Sequence, residues 1–480
     1  MSMTVESCVR CGTTDAPVDP TLDRAHLRSR LAQLNSLIAA FSAERQKLQA
    51  VSDSIVYPVL TLPPEITALI FLHCLPEITA FPKPSPLVAP LLLTQICRQW
   101  RDIAIASSEL WQSIGIVDTR TVDVFDTWLL RSRNHPLNLS LNCVDHERGA
   151  PLVDVCISHT HRWRNVELAL PVGLLRRLKL PLSMPLLCKI SLSLRGPFVR
   201  EQSDDDPISL SNAPILCEAD LSTHTDLRVK LPWAQLTTLR LDKADVAESL
   251  AILELCPNLV TLDLSTVGPP PATRDSEPEP LILPNLQSFT FSTDFCPVIE
   301  RLRLPRLTHL HIRETLAADG TYTARLQNLL AHCVSPIQHF SLALKYPASE
   351  TLQRTLDAVP ASLHALELHC GNATHLAPLL AALHSPDVLP ALTTLTITGG
   401  RVFDDDYDAL PALLQIRAPT LREFSMLMLT YGRVDAVRDV PLRMRVLPKL
   451  NALAEAGMKI RVTITARFHI GTEVLVDTLT

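Results

Sequence analysis

Cys8 and Cys11, spaced Cys-x-x-Cys with Gly12 behind them, are half of a structural zinc site, because a closed tetrahedral site wants four ligands. His26 is the nearest later candidate and would be a lone third ligand. The stretch therefore reads as a tail carrying two free thiols, with no metal. His309, His311 and His339 would hold a transition metal, or make binding respond to pH, if the fold brought them to one face. The plainer alternative is ordinary polar surface. His159-Thr160-His161, beside Arg162 and Arg164, reads as a solvated turn rather than a ligand pair. Asp404-Asp405-Asp406 resembles a fragment of a calcium loop but lacks the spaced ligands and terminal Glu, so it marks an acidic helix start. No phosphate-binding glycine loop, dinucleotide fingerprint, nucleophile elbow or metalloprotease helix motif occurs. The expectation is a binding protein, with neither catalysis nor a cofactor.

Bulk properties agree with that expectation. The chain has 480 residues, a formal net charge of −6 and a sequence pI near 6.2. That balance argues against a nucleic-acid partner, which would select a basic face. Glycine is scarce (13) and proline abundant (38), which disfavours nucleotide loops and suits a chain stopped and restarted many times. Apolar runs are broken well before ~18 residues, so no membrane span is expected. The start, MSMTVESCVRCGTTDAPVD, shows no secretory signal. The twelve cysteines of the chain are therefore read as reduced thiols of a cytoplasmic or nuclear protein.

Beyond about Leu137 a unit L-x-x-L-x-L recurs, usually after a proline. Examples are Leu236/Leu239/Leu241, Leu259/Leu262/Leu264, Leu286/Phe289/Phe291, Leu307/Leu310/Ile312, Ile337/Phe340/Leu342 and Leu363/Leu366/Leu368. First positions recur every 20 to 30 residues from Trp163 to Leu421. Within a unit the fourth and sixth residues alternate with polar neighbours, as in a short strand with one buried face. Return segments Val246–Cys256, Thr323–Cys333, Glu350–Val359, His375–Leu383 and Tyr407–Ile416 carry helical spacing. One strand and one helix cannot bury their apolar faces alone, whereas stacked units can. The predicted body over 130–480 is an α/β solenoid with a parallel sheet inside its curve. Arg200–Pro207 and Gly268–Pro280 read as exposed insertions.

Three segments precede this body. Residues 1–18 are the tail. Over 19–52, Asp19-Pro20 supplies a helix cap, and Leu27, Leu31, Leu34, Ile38, Phe41 and Leu48 follow in steps of four and three, with Arg45 the one interruption. This amphipathic helix would form a short coiled coil, or else lie against its neighbours in the fold. Over 58–117, Pro63 and Pro64 suit a helix start, with Glu65 in the first turn. Ile66, Leu69 and Ile70 follow at helical spacing, and Leu92, Ile96, Trp100 and Ile103 fall largely on one side of a second helix. A module of two or three short helices has a small core at best, so burial by a partner is expected.

The 58–117 segment resembles an F-box in the variant common among mushroom-forming fungi, LPxEIxxxIFxxCLP followed by (V/I)CRxWRxIAxxxxxLWxxI. Leu62, Pro63, Glu65, Ile66, Ile70, Phe71, Cys74, Leu75, Pro76, Ile96, Cys97, Arg98, Trp100, Arg101, Ile103, Ala104, Leu110, Trp111 and Ile114 carry the match. The spacer Glu77–Pro90 departs from it, being long and holding Pro82, Pro84, Pro86 and Pro90. The repeats resemble leucine-rich repeats at their strands, but Ala244, Val267, Asp294 and Thr315 stand where that family has Asn or Cys. The resemblance implies an adaptor of an SCF-type cullin–RING ubiquitin ligase, the repeats holding an unknown protein target. It implies that Leu62, Pro63, Pro64, Ile66, Ile70, Phe71, Leu75, Pro76, Ile96 and Trp100 dock on, or support docking to, a Skp-type adaptor protein. Leu110 and Trp111 would seal the junction with the repeats. A scaffold whose F-box-like helices merely cap the solenoid is the alternative.

In the repeat register, Arg240, Asp263, Thr290, His311, Ser341, Glu367, Thr396 and Ser425 point outward from the sheet, and His309 and His339 share a slot on adjacent strands about 4.8 Å apart. Mixed charge, hydroxyl and imidazole suit a protein target better than a polyanion. Arg240, Asp263, Thr290, His309, His311, His339 and Glu367 are the candidate target contacts.

Overall fold

The computed structural model describes residues 24–54, 58–76, 81–117, 122–179, 183–195, 208–222, 229–267, 279–292, 298–315, 321–344, 349–375, 377–401, 406–431, 446–468 and 471–476. The 1–18 tail with Cys8 and Cys11, the whole of Arg200–Pro207, most of Gly268–Pro280 and the pair Asp404-Asp405 lie outside these residues.

The described part of the chain is mixed α/β, built on one open sheet of fifteen strands. From Ser113–Ile116 to Lys459–Phe468 fourteen strands run parallel in sequence order, and Gly471–Val476 closes the end antiparallel. Parallel neighbours need a crossover, and the chain supplies it on the back of the sheet. Helices Val246–Glu254, Thr321–Ala331, Ser349–Ala358, Ala377–Ala382, Asp406–Arg417 and Leu447–Glu455 do so in some units. Others use turns and two-residue strands, pairing Ile208–Ser209 with Val229–Lys230 and Leu281–Ile282 with Leu302–Arg303. One return segment is shorter than the spacing predicts: His375 ends the strand Ala365–His375, and its helix starts at Ala377.

The core is a stack of equivalent positions. Leu239↔Leu262↔Phe289↔Leu310↔Phe340↔Leu366↔Leu395↔Phe424 is one in-register column, and each of its members is buried. A second regularity joins the units without side chains. The backbone carbonyls of Cys188, Cys217, Thr237, Val260, Gln287, Thr308, Gln338, His364 and Thr393 each accept two N–H groups from the next unit. For example, Gln338 and His339 both donate to the Thr308 oxygen, at 2.8 and 3.1 Å. Buried main-chain groups must be paired, and this ladder pairs them where no asparagine column is available.

At the N-terminal side, helix α1 (Arg24–Ser54) has no buried residue, so it does not lie against its neighbours. Helices α2 (Pro64–His73), α3 (Leu93–Ile96) and α4 (Arg98–Ala106) form the 58–117 module. The module is not wholly helical, because Ser113–Ile116 is the first strand of the sheet. The reason is the two-residue alternation around Gly115, which buries Ile114 and Ile116. The proline-rich spacer covers this edge strand: Gly115 N–H donates to Pro82 O at 2.9 Å. A Cβ at Gly115 would stand 2.8 Å from Phe81 O, so glycine permits the close approach.

Candidate functional site

Two surfaces collect the candidate residues. The first is the helical module. Thr67 and Phe71, one helical turn apart on α2, point inward and are buried. The Phe71 ring meets half-buried Trp100 of α4 edge-on, with centroids 5.0 Å apart. Phe71, expected at the docking surface, is thus core. Its fully enclosed ring has no face left for a partner, and Trp100 mainly closes the same small core. Leu110 and Trp111 are buried where the module meets the sheet. Trp111 Nε1 donates to Ala104 O at 2.9 Å, its ring packs edge-on against Trp128 at 4.7 Å, and Trp128 Nε1 donates to Ser113 O at 3.1 Å.

Other apolar residues of the module face outward, although Leu93, Ala104 and Ile114 are buried with Phe71. Ile66 is 45% exposed, Leu69 54%, Ile70 42% and Ile96 54%. Leu87, Val88, Leu92 and Ile105 are exposed as well. Pro63 and Pro64 are exposed at the start of α2, whereas Leu62, Leu75 and Pro76 are half-buried. Single exposed leucines are ordinary, but this many on one small module is what a protein-binding surface looks like.

The second surface is the outward face of the sheet. Strand pairing puts Asp220, Arg240, Asp263, Thr290, His311, Ser341, Glu367, Thr396 and Ser425 in one continuous row. One slot earlier, His309 pairs with His339, their rings stacked at 5.7 Å. Sequence reasoning missed Asp220, which extends the row by one strand, and two further members of this face, each two residues beyond an outward position on its own strand. His369 stands 5.6 Å from the His311 ring and within 2.5 Å of Thr398 Oγ1. Arg313 pairs with Asp263, which also lies 3.6 Å from Arg240. Their signal was the length of strands His309–Thr315 and Ala365–His375, which run past the six-residue unit.

Electrostatically the face divides into two clusters. Burial raises the carboxyls of Asp220 and Asp263 above their ordinary values, although Arg240 pulls both down and Arg313 also pulls Asp263 down. Glu367 lies 3.9 Å from His339 Nε2 and 3.5 Å from His369 Nε2. Burial lowers His311 and His339, neighbouring imidazoles lower them further, and Glu367 partly offsets this. Ser341, between His311 and Glu367 in the row, buries its Oγ without a hydrogen-bond partner. Imidazoles thus meet on one face, but among the described residues no group of three or more His, Cys, Asp or Glu is placed to hold a metal ion.

The other candidates play structural parts. His159 and His161 flank a turn with rings 6.2 Å apart. That turn is less solvated than expected, because Arg162 is buried and donates to Ser132 Oγ at 2.6 Å and His135 O at 2.9 Å. Asp406 begins the helix Asp406–Arg417. Burial pushes Cys256 and Cys370 up to about 12 and Cys333 up to about 11, so these thiols are poor nucleophiles. Among the described residues no helix is long and apolar enough to cross a membrane.

With this geometry established, neither protein-family models nor curated proteins provide a match to the chain.

Proposed function

We propose that this chain is a substrate-recruiting adaptor of an SCF-type cullin–RING ubiquitin ligase. Its F-box-like module docks on the Skp-type subunit, and its leucine-rich-repeat-like solenoid holds a target protein on the outward face of the sheet. Such a protein performs no chemistry itself: it brings a target close to a conjugating enzyme, and proximity supplies the rate. The observation that carries the reading is the split character of the module. Phe71 and Trp100 close its core, while Ile66, Leu69, Ile70 and Ile96 remain uncovered.

A scaffold whose module only caps the repeats draws support from Leu110, Trp111 and the Pro82–Gly115 contact, all at the junction. A cap, however, has no use for isoleucines that the repeats leave exposed. The discriminating test is an Ile66→Asp, Ile70→Asp double variant of the full chain, in pull-down with a purified Skp-type subunit. The expected result is lost binding with an unchanged circular-dichroism melt. Undiminished binding by the folded variant would remove the ligase assignment.

A further inference from the structure

We propose that α1 is a homodimerisation helix, pairing antiparallel with the same helix of a second copy in a register centred near Leu37. The helix is 31 residues long and buries nothing within its own chain. Helices in water draw most of their stability from packing an apolar face, and α1 has such a face. Leu27, Leu31, Leu34, Ile38, Phe41 and Leu48 are 41 to 66% exposed. Their steps of four and three place Leu31, Ile38 and Arg45 at one core position of a heptad, and Leu27, Leu34, Phe41 and Leu48 at the other.

The flanking residues choose both the partner and its direction. In a parallel pair Arg45 would face its own copy in the core, and so would Arg24. Arg30 would then lie opposite Asn35, and Glu44 opposite Gln49, with no charge paired. In the antiparallel register the central layers match Leu34 with Ile38 and Leu31 with Phe41. Arg45 and Arg24 move to the outer layers, opposite Leu27 and Leu48, where a guanidinium can reach water past an apolar stem. Arg30 then faces Glu44 of the other copy, once on each side of the two-fold axis, and Leu37, itself 52% exposed, packs on its counterpart at the centre. Among the described residues of one chain Arg30 donates to the neutral Gln33 side chain, at 3.2 Å. Arg30 and Glu44 are four turns apart on one helix, so their pairing requires a second molecule. A helix whose charges complement themselves only when reversed is built for its own copy.

The test is sedimentation equilibrium of the full chain. Wild type is expected to dimerise, and Ile38→Asp to be monomeric with the melt of the remaining fold unchanged, since α1 buries nothing there. Glu44→Arg, which sets like charges opposite each other twice, is expected to weaken association on the order of tenfold. The double variant Arg30→Glu, Glu44→Arg is expected to restore it. A monomeric wild type would overturn the proposal, as would a dimer that survives Ile38→Asp. Indifference to Glu44→Arg, or failure of the charge swap to restore association, would overturn the antiparallel register.

Discussion

Adjacent residues on α2 are expected to behave oppositely when truncated. Phe71 is fully enclosed and stands edge-on to Trp100, whereas Ile70 is 42% exposed. Phe71→Ala removes a buried ring, which costs about 3–5 kcal/mol in transfer and cavity terms. Loss of the aromatic contact contributes about 0.5–1.5 kcal/mol within or beyond that figure. A core this small rarely supplies more than about 3–5 kcal/mol, so the variant module should stand near its unfolding midpoint. Ile70→Ala truncates a 42% exposed side chain without opening a closed cavity and replaces a β-branched helix residue with the best helix former, so its stability should change by less than about 1 kcal/mol. Its binding should suffer instead, by about 1–2 kcal/mol, or roughly tenfold in Kd for the Skp-type subunit. Native-state amide exchange of α2 and α4 reads the first quantity locally, and titration calorimetry reads the second. Exchange in α2 should accelerate by about two to nearly four orders of magnitude in Phe71→Ala and hardly at all in Ile70→Ala. If Ile70→Ala loosened the module as much as Phe71→Ala, or left adaptor affinity untouched, the division into inner and outer faces would be wrong.

Three further outcomes follow from the sheet and its loops. Arg417 is buried and donates to the carbonyls of Leu383, Ser385, Val388 and Leu389, so Arg417→Met should cost about 2–3 kcal/mol by orphaning them, read as a lower urea midpoint. Gly399 has φ +76°, and a Cβ there would collide with Cys370 O, so Gly399→Ala should cost about 1–3 kcal/mol or more and lower Tm. His311 and His339 lie below their ordinary 6.5 when folded, so on acidification the unfolded imidazoles take protons first. Their contribution to stability is complete above pH 6.5 and is lost as pH falls through the folded values. Urea midpoints at about pH 7.5 and about pH 5.5 should therefore differ in wild type and differ less in His311→Gln, His339→Gln.

The strands were legible because their signal is local and redundant. In Leu262-x-Leu264 or Phe340-x-Leu342 the two-residue alternation specifies which face is buried, and the outward row from Arg240 to Ser425 follows from the same count. The returns were less legible, because a stacked unit needs only some backbone that covers the apolar side. A helix such as Val246–Glu254 and a two-residue strand such as Leu281–Ile282 both satisfy that need. The joints between units were invisible for a different reason. Carbonyls such as Thr308 O, accepting two N–H groups from the next unit, belong to the main chain and leave no mark in residue type.

At the candidate sites the limit was the direction each side chain faces within a short helix. Phe71 and Ile70 both match the helical pattern of a docking segment, and composition treats them alike. Thr67 and Phe71, one turn apart, are buried while Ile66 and Ile70, one turn apart, are exposed, so the inward stripe is one residue along from the outward one. The ring of Trp100 decides between the stripes, because it stands over Phe71 and leaves Ile70 outside. That choice depends on a contact between α2 and α4, some thirty residues apart, which spacing within either helix does not encode. The same holds for His369 and Arg313, whose partners His311 and Asp263 stand on other strands. What a one-dimensional pattern conveys is which residues are eligible for a surface, and packing between elements then selects among them.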